Sequence, residues 1–411
     1  MIRRALQNTG WLMGARGVNA VLSLVYLALA TRALGLEGFG QFVLAVTFAQ
    51  AIVGFTSFQT WQSIVRWGQA KQDLPDATGF ALALDLVTIN AGTLLALLVL
   101  ANAGDWLPLT SELRQATLGL TVVSLLAIRS TPTGILRLHD RYAKAATADS
   151  TTSIVRVTGA VIVAAVMPTI EAFLLVWALA ELVTAGTYWA FACKTQPLFF
   201  KHISLTRIPR REEKAWSFVA GTSLSGMLVF ASRQLLVLLV GILGGAALAG
   251  IYRVAAQLGE GLLKLAQALL RATYPELVRS PEAARQIARR ITRIAIITGL
   301  GAIMFALLAG RWLIGVIAGD DFQAAYTPMI LLSAAAAVEL VGASLEALLV
   351  ARGKALTNFL LRAVPTLVAL LALGWLIARM GAAGAGLSVL LASVVTVTGL
   401  AIANWRSRDE A

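Results

Sequence analysis

The sequence predicts an all-α polytopic membrane protein of about twelve transmembrane helices, arranged as two parallel six-helix lobes with both termini in the cytoplasm. Three observations lead there. The 411-residue chain is 58% hydrophobic and 13% charged, with a mean hydropathy of +0.78, whereas a soluble domain carries roughly 25% charged residues. Apolar stretches of about 20 residues, enough for a ~30 Å hydrocarbon core, recur along the whole length. Basic residues crowd the connections on one side of those stretches. The alternation of a lipid-facing β-barrel is absent, so the backbone must satisfy its hydrogen bonds within helices.

The expected spans run over 11–33, 40–60, 78–101, 114–136, 148–167, 171–193, 216–239, 248–270, 291–310, 326–350, 356–378 and 382–404. With the N-terminus inside, the cytoplasmic segments hold 23 of the 34 Lys and Arg residues, and the outer side holds Arg32, Arg114, Arg311 and Arg379. That bias sets the orientation. It also explains the net charge of +13 as a topological signal, so the partner expected is a lipid bilayer and not nucleic acid. Arg3, Arg4 and the Ala28-x-Ala30 pair imitate a signal peptide, but Arg16 and Asn19 interrupt the apolar run, and an uncleaved first span is expected. One cysteine, Cys193, and two loop histidines, His139 and His202, are too few for an intramolecular disulfide or a metal site. No cofactor is expected, and no metal.

The most polar connection, KTQPLFFKHISLTRIPRREEK (194–214), lies between the sixth and seventh spans. It suggests an N-terminal lobe over 1–194, a basic cytoplasmic linker over 195–215 and a C-terminal lobe over 216–411. The turn TRALGLEGFGQFVLA (31–45) joins spans one and two, and VGILGGAALAGIYRVAA (240–256) joins spans seven and eight. Pairing Leu34-Gly35 with Leu243-Gly244, and Gly40-Gln41-Phe42 with Gly250-Ile251-Tyr252, requires one residue of gap. The recurrence suggests duplication. Six crossings per half give parallel repeats, an architecture that places substrate between the halves near the midplane.

Seven basic residues fall inside spans: Arg16, Arg129, Arg156, Arg233, Arg253, Lys264 and Arg362. The acids there are Asp85, Glu181, Glu260, Glu339 and Glu346, with Asp149 at an edge. Each charge costs on the order of 3 kcal/mol in lipid, so none is expected to face it. They fall in helical stripes: Arg16, Asn19, Ser23, Tyr26; Asp149, Ser153, Arg156; Trp177, Glu181, Thr184, Tyr188; Glu339, Ala343, Glu346; and Asn358, Arg362, Thr366. Arg253, Gln257, Glu260 and Lys264 form another, in which Glu260 and Lys264 are spaced for a local i, i+4 pair. Two readings stand: the stripes pair with one another as interhelical glue, or they enclose a hydrophilic cavity. Because cations exceed acids, a cavity would attract phosphate or carboxylate.

WQSIVRWGQAK (61–71) is amphipathic. Either it lies on the cytoplasmic surface, or its Arg66 caps the inner end of span two at the cavity mouth. The tryptophans near span ends, Trp61 among them, form an interfacial girdle. No Gly-x-Ser-x-Gly, P-loop or His-Glu-x-x-His motif occurs. The chain is therefore expected not to be an enzyme, and transport would run on an ion gradient, on membrane potential or downhill.

Twelve spans in two halves, a polar first helix, ATRALGLEGFGQFVLAVTF and LRLHDRYAKAATADSTTSIVRVTGA (136–160) together resemble the polysaccharide-transporter branch of the multidrug/oligosaccharidyl-lipid/polysaccharide exporter superfamily. These are the O-antigen-type flippases of bacterial inner membranes. The resemblance implies alternating-access flipping of undecaprenyl-pyrophosphate-linked oligosaccharide to the periplasmic leaflet. It also implies contact with polysaccharide polymerase and assembly proteins. Related flippases have arginines on the first, second and eighth helices, where this chain has Arg16, Arg66 and Arg253. Arg233 would be the contribution of span seven, and Arg129 and Asn19 complete the substrate-binding candidates. Asp85, Glu260, Glu339 and Glu346 are candidates for proton or sodium coupling. Lipid II flippases of the superfamily have two further helices, so the resemblance points away from a peptidoglycan precursor. The alternative is an ion-coupled multidrug or metabolite antiporter, whose cavity should be acidic and aromatic. A membrane glycan polymerase or ligase would need a large outward loop, and a non-transporting scaffold would tolerate neutralised stripes.

Overall fold

A computed structural model describes the backbone of residues 2–197, 200–277, 284–351 and 354–409. Side chains are described for 17–197, 201–224, 226–227, 234–259, 261, 293, 295–343, 345–346, 349, 354 and 357–405. Every regular element among the described residues is a helix.

Helix α1 (Ile2–Thr56) has 55 residues, about 80 Å at 1.5 Å per residue, far more than a bilayer requires. It consists of two arms meeting at Gly35, where φ is 66° and ψ is −174°. Helix α9 (Ala215–Leu277), of 63 residues, bends in the same way at Gly245, with φ 86° and ψ 171°. That backbone region is essentially reserved for glycine, because a Cβ would collide with the chain. Gly40 and Phe42 follow Gly35 at the same distances as Gly250 and Tyr252 follow Gly245. The two turns therefore align without a gap once the second glycine of the Gly244-Gly245 pair is taken as the hinge.

By packing, the chain divides into Met1–Ile242 and Leu243–Ala411. In the first unit follow α2 (Thr60–Trp67), α3 (Leu74–Ala103), α4 (Ser111–Leu126), α5 (Ser130–Leu138), α6 (Tyr142–Val166), α7 (Ile170–Thr195) and α8 (Arg207–Arg211). The hydroxyls of Thr110 and Thr169 cap α4 and α7 by accepting from the N–H groups of Leu113 and Ala172. Helix α6 packs on α1 and α7, and α4 packs on the same two. Short helix α2 lies between α3 and α5. It meets α5 at Gly134, where a Cβ would come within 2.9 Å of the Trp61 Cα. The span expected over 114–136 is thus interrupted at 127–129, and the second span ends at Thr56 before α2 begins.

The basic connection after α7 is docked on the cytoplasm-assigned end of α3. His202 Nδ1 stands 2.6 Å from Asp76 Oδ1, Arg207 donates to the same oxygen at 3.0 Å, and Arg211 forms an ion pair with Asp76 Oδ2 at 3.2 Å. Beneath these contacts Ile208, Ala215 and Val219 pack against Phe80 and Leu84.

In the second unit the later arm of α9 is followed by α10 (Ala284–Ile317), α11 (Tyr326–Ala351), α12 (Ala355–Met380) and α13 (Ala382–Asp409). Helix α11 packs on α10 and α13, and α12 packs on α13. Large apolar side chains of α10 and α12 point outward; Leu308 is 81% and Leu371 87% exposed. On a soluble protein such a surface would aggregate, and here it is the lipid-facing side. Among the described residues ten helical segments are long and apolar enough to cross a membrane. With α1 and α9 each counted as two arms, the expected spans fall on described helices, apart from the breaks at 57–59 and 127–129.

The hinges make an opposed pair of predictions. Gly35→Ala or Gly245→Ala should each cost about 1–3 kcal/mol of stability. Gly119→Ala, on an open face of α4, should gain up to about 1 kcal/mol. Thermal unfolding in detergent separates the two signs.

Candidate functional site

In the first unit, the breaks after Thr56 and after Leu126 leave backbone groups that lipid cannot satisfy. Side chains take them up. Thr88 Oγ1 donates to the Thr56 carbonyl at 3.0 Å, and Trp189 Nε1 donates to the Ile128 carbonyl at 3.0 Å. The Trp61 N–H donates to Ser130 Oγ at 3.2 Å, linking the starts of α2 and α5. Those starts converge on Asp85 of α3, which is 5% exposed. Thr60 Oγ1 donates to Oδ1 at 3.0 Å and Thr131 Oγ1 donates to Oδ2. The positive ends of two short helices thereby face one buried carboxylate.

A second network joins α6 and α7. Their stripes meet rung by rung: Tyr188 donates to Asp149 at 2.7 Å, Thr152 and Thr184 share a hydrogen bond of 2.7 Å, and Arg156 pairs with Glu181 at 2.7 Å. Thr152 takes the place expected of Ser153. Glu181 also receives Arg129, at the start of α5. The Arg156 guanidinium lies 3.4 Å from the centroid of Trp177, a cation–π contact. Two guanidinium groups share the Glu181 carboxylate, so the Arg129–Glu181–Arg156 triad taken by itself carries one surplus positive charge, with the Asp149 carboxylate two rungs along the ladder. Arg129 is the more accessible of the pair, at 36% against 20% for Arg156.

The second unit has the opposite arrangement. Arg362 of α12 donates to Glu339 at 3.1 Å and to Glu346 at 2.7 Å, both on α11, and Asn358 donates to Glu346 at 3.0 Å. Among the described residues one cation here serves two carboxylates. Among the described residues, the buried Oδ1 of Asn358 and Nε of Arg362 make no hydrogen bond.

At the end of the first unit that the charge bias assigns to the cytoplasm lies an open cavity of about 320 Å³. Its polar and aromatic lining comes from Asn19, Trp61, Arg137, Tyr142, Asp149 and Tyr188. The Arg137 guanidinium stacks 4.2 Å above the Trp61 ring. The buried Oδ1 of Asn19 has no hydrogen bond among the described residues.

Of the expected substrate-binding residues, Asn19 lines this cavity and Arg129 joins the Glu181 cluster. Arg66 is exposed, with its guanidinium 4.4 Å above the ring of Phe218. Arg253 is half-buried on the later arm of α9. The side chains of Arg16, Arg233, Glu260 and Lys264 lie outside the described residues. Among the coupling candidates, Asp85 sits at the helix breaks and Glu339 and Glu346 share Arg362. Sequence reasoning passed over Arg137, Tyr142 and Trp61 as connection and girdle. Their signal is i, i+4 spacing: Trp61 with Val65, and Thr133 with Arg137, each put two lining residues on one helix face. Among the described residues no group of His, Cys, Asp and Glu is placed to hold a metal ion.

The sequence profile of the polysaccharide biosynthesis protein family matches residues 5–280. The chain is 28% identical over 338 residues to the inner membrane protein YghQ of Escherichia coli (strain K12), covering 79% of this chain and 95% of that one. Its fold is shared with the lipid II flippase MurJ in an inward closed conformation, with a TM-score of 0.73 at 11% identity, covering 95% of this chain and 87% of that one. It is shared also with a point mutant of the Vibrio cholerae MATE transporter VcmN, with a TM-score of 0.62 at 11% identity, covering 100% of this chain and 97% of that one.

Removing the acceptor at the helix breaks tests its role directly. Asp85→Ala leaves buried Thr60 and Thr131 hydroxyls unmet and should cost about 1–3 kcal/mol for each donor stranded. Asp85→Asn keeps one carbonyl acceptor and should cost less. Melting temperatures in detergent should rank wild type above Asp85→Asn above Asp85→Ala.

Proposed function

The chain belongs to the polysaccharide biosynthesis protein family, and from that premise we propose that it flips undecaprenyl-pyrophosphate-linked oligosaccharide from the cytoplasmic to the periplasmic leaflet of a bacterial inner membrane. The observation that carries this reading is the surplus cation of the Arg129–Glu181–Arg156 cluster. A second guanidinium on a carboxylate already neutralised is held at a cost inside a membrane. An anionic guest relieves that cost, and guanidinium forks match phosphate oxygens. Arg129, the more accessible of the two, would make the contact. Arg66 and Arg253 are further candidates for the headgroup, while the polyprenyl tail stays in lipid. The alternative, an antiporter of cationic drugs, shares the fold but would meet repulsion at this cluster. O-antigen assembly is the pathway proposed, with its polymerase as neighbour.

Energy for the cycle would enter through the second unit. Glu339 and Glu346 together carry one charge more than Arg362 balances. A proton or a sodium ion on that pair removes the excess.

Purified protein in proteoliposomes should carry a short-chain polyprenyl-pyrophosphate glycan between leaflets, read by quenching of a fluorescent headgroup. A charge-assisted hydrogen bond is worth roughly 1.5–3 kcal/mol, so Arg129→Gln should slow transfer about tenfold or more. Inactive wild-type vesicles, or a variant as fast as wild type, would refute the model. Glu346→Gln should leave downhill exchange intact and abolish its acceleration by an imposed ion gradient. Acceleration that survives in both Glu346→Gln and Glu339→Gln would remove the pair from coupling.

A further inference from the structure

The cavity at the cytoplasm-assigned end of the first unit contains a combination of groups that the surplus cation above does not explain. Its lining brings together a cation, a carboxylate, a primary amide and two phenols. A pocket for acyl chain would need none of these, and a simple anion site would exclude the carboxylate by repulsion. Sugar phosphates need them all: guanidinium for phosphate, carboxylate and amide for hydroxyls, and aromatic faces for the apolar side of a pyranose ring.

The placement suits that assignment. Arg137 is held by stacking on Trp61 and pairs with no carboxylate among the described residues, so its donors remain available. Asp149 accepts from Tyr188 through Oδ1, which orients the carboxylate and leaves Oδ2 for a hydroxyl. The buried Asn19 Oδ1 accepts no hydrogen bond among the described residues. Trp61 and Tyr142 supply rings on different elements, α2 and α6. A volume of about 320 Å³ lies at the small end of ligand sites, suited to one sugar with its phosphates and too small for a whole oligosaccharide.

The location gives the cavity a role. Its Asp149–Tyr188 pair is the innermost rung of the α6–α7 ladder, whose next charged rung is Arg156–Glu181. Two of its walls are α2 and α5, which exist as separate helices only because of the breaks before Thr60 and Ser130. In the second unit the later arm of α9 and helix α11 run without such a break to Leu277 and Ala351.

We propose that this cavity is a loading subsite for the pyrophosphate and first sugar of a lipid-linked glycan, with Arg137 on the phosphate and Asp149 and Asn19 on the sugar. The proposal rests on the flippase reading for its biological setting, but binding tests it separately from transport. The full-length protein in detergent is titrated calorimetrically with citronellyl pyrophosphate bearing one N-acetylhexosamine, and separately with inorganic pyrophosphate. Wild type should bind the glycosylated probe, Arg137→Gln should bind it at least tenfold more weakly, and Asp149→Asn should weaken the glycosylated probe while leaving inorganic pyrophosphate unchanged. Asp149→Asn retains an acceptor for Tyr188, so a folding defect is not expected, and an unchanged melting temperature confirms it. A wild type that binds neither probe, or variants that bind as wild type does, would overturn the subsite. Vesicles that still flip substrate in that case would leave the transport reading standing, whereas binding without flipping would keep the subsite and remove the transport reading.

Discussion

The first unit depends on a single requirement: a helix that breaks inside a membrane must find partners for the backbone groups it frees. Breaks after Thr56 and Leu126 free carbonyls and N–H groups, and each one left unmet away from water would cost on the order of several kcal/mol. Thr88, Trp189 and Ser130 take up individual groups, and Asp85 collects the starts of both short helices. From this arrangement follow the positions of α2 and α5. The positions of Trp61 and Arg137, and hence the cavity itself, follow in turn.

The intramembrane charges are arranged as complementary opposites. On α6, α7 and the start of α5, two cations share one acid; on α11 and α12, two acids share one cation. Each cluster is compact enough to be tolerated and unbalanced enough to respond to a charged visitor. A fully matched set of pairs would be the more stable choice and would leave nothing to exchange. The imbalance is the part that packing alone does not require.

Much of the fold was legible in the sequence because lipid imposes a length and a polarity on every span. The stripes were legible for the same reason: Asp149, Glu181, Arg156, Glu339, Glu346 and Arg362 all proved to face other helices. What periodicity could not decide was whether a stripe faces a cavity or another stripe. Four of those expected turned out to be two matched pairs, an outcome decided by the register between helices and not by either helix alone. The break at 127–129 was hidden because Leu126, Ala127 and Ile128 continue an apolar run. The signal that marks it, Ser130-Thr131-Pro132, is a helix-start pattern standing where hydropathy says the helix should continue. At the hinge the sequence offered two adjacent glycines, Gly244 and Gly245, and only φ and ψ told them apart.

The α6–α7 ladder also bears on how the chain enters the bilayer during synthesis. Helix α6 alone would bring Arg156 into lipid, and α7 alone would bring Glu181, each at roughly 3 kcal/mol on insertion scales. Only Met167, Pro168 and Thr169 separate the two helices, so they can leave the translocon as one hairpin with those charges already joined. The same holds for α11 and α12, three residues apart in the chain, where Arg362 closes on Glu339 and Glu346. For these parts of the chain the smallest piece that can partition into lipid is a helical pair, and a stop between its members would strand a charge.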